Sequence, residues 1–437
     1  MKLRVQPATQ PLSGEYRPPG DKSISQRAVI LGALAAGQTR ISGFLEAGDT
    51  RATVTAIQAL GARVRESHGE LLIRGGSLKT PGRPLDLGNS GTGMRLLTGA
   101  LAGRPELFGQ EIELTGDVSL VRRPMDRIIE PLATMGATIE SRGGRAPLLI
   151  RPRPLTGRRH QLKIASAQVK SALLLAGLNA HGETSVIEPA PTRDHTERLL
   201  PAFGVRLETA PGMASLSGGQ SLSGTAVQVP GDLSAAAFIL AAALLVPGSR
   251  VAIEPVGLNP TRDGILRVLA RAAPAGCLQV AQNPGSRAGF EPAGTIRVHH
   301  GRLRGIAIPA EWVPLGIDEF PVIMALAAAA DGETVITGAA ELRVKESDRL
   351  AVMCRQLARL GVVVRETADG AVILGGPVAG GEVDAAGDHR IAMSLAVLGL
   401  VAEAEVVIDG AEWIETSYPG FVADLRALGA EIGIEET

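Results

Sequence analysis

Hydrophobic and polar positions repeat six times along this chain. Each copy opens on a short polar or Gly-rich segment, enters an Ala/Leu-rich run of helical length, passes a Gly and ends in a β-branched stretch. The copies span residues 21–43, 88–114, 166–187, 231–253, 316–336 and 387–408. A second element follows most of them, an apolar helix closed by Gly and then an alternating strand. It reads Leu60-Gly61-Ala62-Arg63-Val64, Met135-Gly136-Ala137-Thr138-Ile139, Phe203-Gly204-Val205-Arg206-Leu207, Leu360-Gly361-Val362-Val363-Val364 and Leu428-Gly429-Ala430-Glu431-Ile432. Gly just past a helix takes the left-handed C-cap conformation. The corresponding place after Leu269 is interrupted by Ala273-Pro274-Ala275-Gly276, a degenerate copy.

Each unit is a small βαβαβ-like piece that cannot bury both of its faces alone, so neighbouring units must pack together. The period exceeds that of solenoid repeats. Six units divide into three plus three, and the boundary carries a mark. Pro19-Gly20-Asp21 precedes the first unit and Pro230-Gly231-Asp232 the fourth, each a turn signal. This predicts a first lobe over 21–229 and a second made of 1–20 plus 230–437, joined by two hinge crossovers near 20 and 230.

Composition narrows the chemistry. At 437 residues the chain exceeds one ordinary core. Aromatic residues make up only 3%, too few for a base-stacking nucleic-acid platform. A formal net charge of -1 supplies no global field toward DNA or a membrane, so any basic site is local. The longest apolar run, 235–246, is too short to span a bilayer, and residues 1–14 show no leader pattern. A cytoplasmic location and a monomer are the expectation. Two cysteines, Cys277 and Cys354, make no disulfide framework. The seven His are scattered, His299-His300 lacks ligand partners at metal spacing, and no metal or cofactor is expected.

The polar segments carry the chemistry. Arg343-Val344-Lys345-Glu346-Ser347-Asp348-Arg349 gathers three cations and two carboxylates. If the stretch is helical, Lys345 and Arg349 share a face, and like charges at that spacing repel unless an anion lies between them. Asp21-Lys22-Ser23-Ile24-Ser25-Gln26-Arg27 opens the first helix, where Asp21 or Ser23 can cap and free amides attract anions. Leu87-Gly88-Asn89-Ser90-Gly91-Thr92-Gly93-Met94-Arg95 opens the second and lets a ligand approach the backbone. Arg122-Arg123-Pro124-Met125 reads as a helix start with Pro near N1. Ser166-Ala167-Gln168-Val169-Lys170 opens the third long helix, and Thr192-Arg193-Asp194-His195 is a polar loop after a strand. In the other lobe Gly316-Ile317-Asp318-Glu319 precedes an apolar helix, with Asp318 readable simply as its cap, and Asp388-His389-Arg390 holds the same place in the sixth unit. If these helix openings face one another, a cleft collects Lys22, Arg27, Arg123, Arg193, Lys345, Arg349 and Arg390 around Asp318 and Glu346. Such a set suits phosphorylated or carboxylated small molecules, with two acids to move protons.

Taken together, P-G-D-K-S-I-S-Q-R, G-N-S-G-T-G-M-R, S-A-Q-V-K-S-A-L-L-L-A-G-L, T-R-D-H-T-E and R-V-K-E-S-D-R resemble the 5-enolpyruvylshikimate-3-phosphate (EPSP) synthases, and the bacterial class II form in particular. The resemblance runs from Pro19 to Tyr418. It implies an α/β fold of two lobes, each an inside-out α/β barrel of three βαβαββ-type repeats. It implies transfer of the enolpyruvyl group of phosphoenolpyruvate to shikimate-3-phosphate, without metal or organic cofactor. By the same resemblance Lys22, Ser23, Arg27, Ser166, Gln168, Arg193, Asp318 and Lys345 would hold shikimate-3-phosphate. Lys22, Gly91, Arg123, Gln168, Arg349 and Arg390 would hold phosphoenolpyruvate. Asp318, Glu346 and Lys22 would be catalytic: Asp318 as base at the 5-hydroxyl, Glu346 with Lys22 delivering a proton to C3.

Two positions qualify the resemblance. Many relatives carry Lys where this chain has Thr416, and glyphosate-tolerant class II relatives carry Ala where it has Gly91. The sister family acting on UDP-N-acetylglucosamine uses a loop Cys near the place of Arg122, and this chain has none there.

Overall fold

The computed structural model describes residues 1–283 and 290–435. Among them, strands form six small sheets built to one plan, a parallel pair followed by two antiparallel pairs. In the sheet ordered Ala226–Gln228, Gly37–Ser42, Glu70–Gly75, Arg63–Ser67, Val227 lies parallel against Ile41, and Gly37 and Arg63 pair antiparallel with Gly75 and Arg74. The sheet holding Gly332–Ile336, Gly370–Gly375 and Val363–Thr367 has three strands. Its parallel partner is reduced to isolated bridges, Arg304 to Asp331 and Ala307 to Val335.

Twelve α-helices accompany the described strands: α1 Lys22–Leu34, α2 Gly48–Ala59, α3 Gly91–Ala102, α4 Asp126–Thr134, α5 Ala167–Gly177, α6 His195–Ala202, α7 Leu233–Leu245, α8 Gly264–Ala272, α9 Phe320–Ala328, α10 Arg349–Arg359, α11 His389–Gly399 and α12 Phe421–Ala427. The odd-numbered helices α1, α3, α5, α7, α9 and α11 are apolar on nearly every side, and all 13 residues of α7 are buried. A helix without a polar face has to sit inside. Accordingly α3 packs on α1 and α5, α11 packs on α7 and α9, and the sheets wrap outside them. This is the inside-out α/β barrel, helices within and sheets without.

The chain divides into two compact units. One contains residues 20–229 with Phe290 and Glu291, and the other contains the remaining described residues. The two Pro-Gly-Asp segments stand at the divisions, and both glycines are sterically required. A Cβ on Gly20 would lie 1.8 Å from the Gly43 carbonyl oxygen, and one on Gly231 2.3 Å from that of Pro255.

The N-caps match the polar openings. Asp21, Ser90, Ser166, Asp232, Asp348 and Asp388 each accept a hydrogen bond from a backbone amide in the first turn of their helix. Such a cap stabilises a helix by about 1 kcal/mol. The closing glycines Gly61, Gly136, Gly204, Gly361 and Gly429 all have positive φ, between 80° and 111°, the left-handed region expected of C-caps.

Four local expectations need correction. The third copy's strand begins at Glu208, because the Gln220 side chain bonds both the N–H and the C=O of Arg206 and replaces the ladder there. Pro124 is not at N1: α4 starts at Asp126, and Arg122 and Arg123 close a short 3-10 turn. Asp318 is not the N-cap of α9, since a 3-10 turn over Ile317–Glu319 leads into that helix and Glu319 holds the cap position. Lys345 and Arg349 share no helix face, because α10 begins at Arg349 and Lys345 closes the 3-10 turn Ala340–Val344.

Candidate active site

Polar side chains gather at the openings of the buried helices in each unit. In the 20–229 unit, Lys22 stands at N1 of α1, and its Nζ lies 2.6 Å from Oδ2 of Asp49, a buried acid in the first turn of α2. Five residues on, Arg27 is buried and commits all three guanidinium nitrogens. Nε donates to Thr196 Oγ1 at 2.8 Å, Nη1 to the Ser23 carbonyl at 2.9 Å and Nη2 to Ser171 Oγ at 3.0 Å. Burial pushes this guanidinium down to about 10, with Glu197 opposing and Arg193 reinforcing the shift, so it remains charged at neutral pH.

A second cluster forms where α3 starts. Arg95 Nη1 donates to Gln168 Oε1 at 2.6 Å, and Gln168 Nε2 donates to Thr92 Oγ1 at 2.9 Å. Arg123 Nη2 donates to Asn89 Oδ1 at 2.5 Å. A Cβ on Gly91 would meet Arg95 Nη1 at 2.9 Å and Arg123 Nη1 at 3.0 Å, so Gly91 faces both cations. The structure thus brings together Gly91, Arg123 and Gln168 and adds Arg95. Ser23 and Ser166 stand half-buried at the openings of α1 and α5, where Ser166 also caps. Arg193 lies in the loop before α6 and acts electrostatically on Arg27.

Lys170, in the same polar segment, points elsewhere. Its Nζ is 2.6 Å from both Glu188 Oε1 and Glu197 Oε1, all three side chains being buried. Burial works against the ammonium, but Glu197 and Glu188 outweigh it and hold its pKa up. For Glu197 burial wins over Lys170 and raises the carboxyl. Nearby, His195 Nδ1 and Glu291 Oε1 are 2.5 Å apart. With Asp194 they form a group of metal-ligand type, invisible in sequence because Glu291 comes from a distant segment.

In the other unit the site is built around Arg349, at N1 of α10 and 1% exposed. Nε donates to Asp388 Oδ2 at 2.8 Å and Nη2 to Asp388 Oδ1 at 3.3 Å, a two-point grip on the cap of α11. Nη2 lies 2.6 Å from Glu346 Oε2 and Nη1 3.3 Å from Asp318 Oδ1. Burial disfavours the charge, yet Asp388, Glu346 and Asp318 together raise this guanidinium above its ordinary value. Lys345 Nζ reaches the same Asp318 Oδ1 at 3.2 Å. Arg390 Nη1 donates to the Asp318 carbonyl at 2.9 Å. Asp318, Lys345, Glu346, Arg349 and Arg390 are therefore one connected group.

Thr416 presents a hydroxyl near the opening of α11. Its Oγ1 donates to the Trp413 carbonyl at 2.7 Å and lies 3.4 Å from His389 Nδ1.

The two groups differ in electrical character. Lys22, Arg27, Arg95, Arg123 and Arg193 dominate the first, a setting for multiply charged anions. The second sets carboxylates beside cations, which suits proton transfer next to an anion. Sequence reasoning missed Asp49, Arg95, Asn89 and Thr196. Asp49 had a signal, an acid in the first turn of a predicted helix; the others become visible only through contacts distant in sequence.

Known proteins resemble this chain over nearly its whole length. The profile of the family described as EPSP synthase (3-phosphoshikimate 1-carboxyvinyltransferase) matches residues 7–425. The chain is 51% identical over 429 residues to a 3-phosphoshikimate 1-carboxyvinyltransferase of Acidithiobacillus ferrooxidans, covering 97% of each. It is 52% identical over 431 residues to one of Halorhodospira halophila, covering 97% of this chain and 95% of the relative. A solved structure of EPSP synthase from Acinetobacter baumannii superposes with a TM-score of 0.86 at 43% identity and full coverage of both chains.

Proposed function

The chain belongs to the EPSP synthase family, and from that premise we propose how its residues divide the work. The reaction transfers the 1-carboxyvinyl group of phosphoenolpyruvate to the 5-hydroxyl of shikimate-3-phosphate and releases phosphate. Shikimate-3-phosphate is assigned to Lys22, Ser23, Arg27, Ser166, Gln168, Arg193, Asp318 and Lys345. Phosphoenolpyruvate is assigned to Lys22, Gly91, Arg123, Gln168, Arg349 and Arg390. Planar guanidinium forks match carboxylate and phosphate oxygens, and Gly91 leaves room beside two of them.

Chemistry proceeds by addition and elimination. Asp318 takes the proton of the 5-hydroxyl as its oxygen attacks C2 of phosphoenolpyruvate, and Glu346 with Lys22 delivers a proton to C3. The tetrahedral intermediate then loses the C3 proton as its bond to the phosphate oxygen breaks, and phosphate leaves. The observation that carries this reading is the shared hold of Arg349 on Asp318 and Glu346. A single buried guanidinium fixes two acids at one end of α10, close enough to serve successive proton transfers. Within the shikimate-3-phosphate set Arg27 is the anchored member, its guanidinium held in place by Thr196, the Ser23 carbonyl and Ser171.

Proton transfer by a placed group contributes about 10²–10⁴-fold. Glu346→Gln is therefore expected to lower turnover on that scale while KM for each substrate moves little. Steady-state kinetics test this, and unchanged turnover would remove Glu346 from the chemistry.

A further inference from the structure

Glu319 follows the proposed base directly, yet no role in the reaction described above falls to it. It is buried, 2% exposed, at the entrance to α9. Its Oε1 accepts the hydroxyl hydrogen of Ser234, which stands in the first turn of α7. The same oxygen lies 3.7 Å from Arg262 Nη2 and 3.8 Å from Arg390 Nη1. Arg262, 4% exposed, donates from that Nη2 to Ser234 Oγ and to Oδ1 of Asp232, the cap of α7, at 3.3 Å. Among the described residues, Oε2 of Glu319 is buried without a hydrogen-bond partner. One carboxylate thus sits where the openings of α7, α9 and α11 converge.

A carboxylate so placed could merely neutralise Arg262. The position of Arg390 argues for more. Its Nη1 donates to the Asp318 carbonyl at 2.9 Å and faces the Glu319 carboxylate, so two consecutive residues hold one guanidinium nitrogen. A long cationic side chain loses much rotamer freedom when it is held, and a neighbouring charge that holds it beforehand spares the ligand that loss. Arg262 and Ser234 in turn fix the carboxylate. A buried charge with cations on two sides and a hydroxyl on its oxygen has little freedom to turn.

We propose that Glu319 is a positioning residue for phosphoenolpyruvate: it holds the Arg390 guanidinium in register with the Asp318 backbone, so that the cation meets the substrate's anionic oxygens already oriented. The inference rests on the assignment of Arg390 to phosphoenolpyruvate. Its reach is specific, because Glu319 contacts neither Lys345 nor Arg349 in the described network and belongs to the Arg390 branch alone.

The test is a double-mutant cycle on the full-length enzyme. Glu319→Gln keeps the shape and removes the charge. It is expected to raise KM for phosphoenolpyruvate about tenfold or more, with KM for shikimate-3-phosphate within about twofold, and to do almost nothing further in an Arg390→Lys background, as coupled neighbours behave. A purely structural role would lower kcat, shift both KM values together and multiply with Arg390→Lys, and that outcome would overturn the proposal. Arg390→Lys alone is the control on the premise. If it leaves KM for phosphoenolpyruvate unchanged, the assignment of Arg390 fails and the inference fails with it. If it raises KM and Glu319→Gln does not, the inference fails alone. Should Glu319→Gln not fold, Ser234→Ala removes one bond to the carboxylate and is expected to raise the same KM by a smaller factor; no change in it would count against the proposal.

Discussion

Arg349 is the side chain from which the second group of polar residues takes its geometry. The sequence pattern places it on one helix face with Lys345, two cations in need of an anion. Because Asp348 caps α10, Lys345 falls outside the helix and turns to Asp318, while Arg349 is surrounded by Asp318, Glu346 and Asp388. The anions that settle this charge are thus partly the protein's own. Breaking a buried pair by removing one partner costs about 3–5 kcal/mol, so Asp388, which also caps α11, is structural as well as electrostatic. Gly91 gives a second prediction at this scale. A methyl there meets the guanidinium tips of Arg95 and Arg123, which are flexible ends able to shift by a few tenths of an ångström. The wild-type protein is therefore expected to be inhibited by glyphosate. Gly91→Ala should raise the inhibition constant about tenfold or more, in line with the about 1–3 kcal/mol that added methylenes cost in packed sites. An inhibition titration in which the two proteins coincide would contradict this.

Much of the element scale was legible in the sequence. Five of the six buried helices announce their openings with a cap, Asp21, Ser90, Ser166, Asp232 or Asp388, and the closing glycines mark five of the outer strands. Both are local signals, set within one or two turns. What stayed hidden is contact between elements. Lys22 with Asp49, Arg27 with Thr196 and Glu319 with Ser234 are pairings made by the way helices pack, and periodicity carries no information about them. The same holds for Tyr16 and Tyr418, whose hydroxyls bond to one another while Tyr418 donates to Asp424 Oδ2 at 2.8 Å. Burial pushes both phenols well above their ordinary value. A raised folded-state pKa means the contribution to stability is present below the unfolded value, about 10, and is lost as pH rises through it and beyond. These are the only two tyrosines in the sequence, so tyrosinate absorbance reports on this pair alone. The expected result is no ionisation while the protein stays folded near pH 10, followed by ionisation together with alkaline unfolding. Reversible titration of both phenols near 10 with the fold intact would contradict it.

At the scale of the molecule, six copies of one βα unit make two compact units whose polar groups differ in charge. The 20–229 unit is rich in cations, and the other joins carboxylates to cations around Arg349. Sequence repeats predicted the copies, and the resemblance supplied their packing as helices inside sheets. The division of charge between the units emerged from side-chain partners. Family membership makes one outcome decisive for the whole account. Phosphate release from phosphoenolpyruvate should be measured with purified protein, alone, with shikimate-3-phosphate, and with UDP-N-acetylglucosamine. The account predicts release only with shikimate-3-phosphate, in equal amount to the enolpyruvyl product. No release with that acceptor, or equal release with the nucleotide sugar, would contradict it.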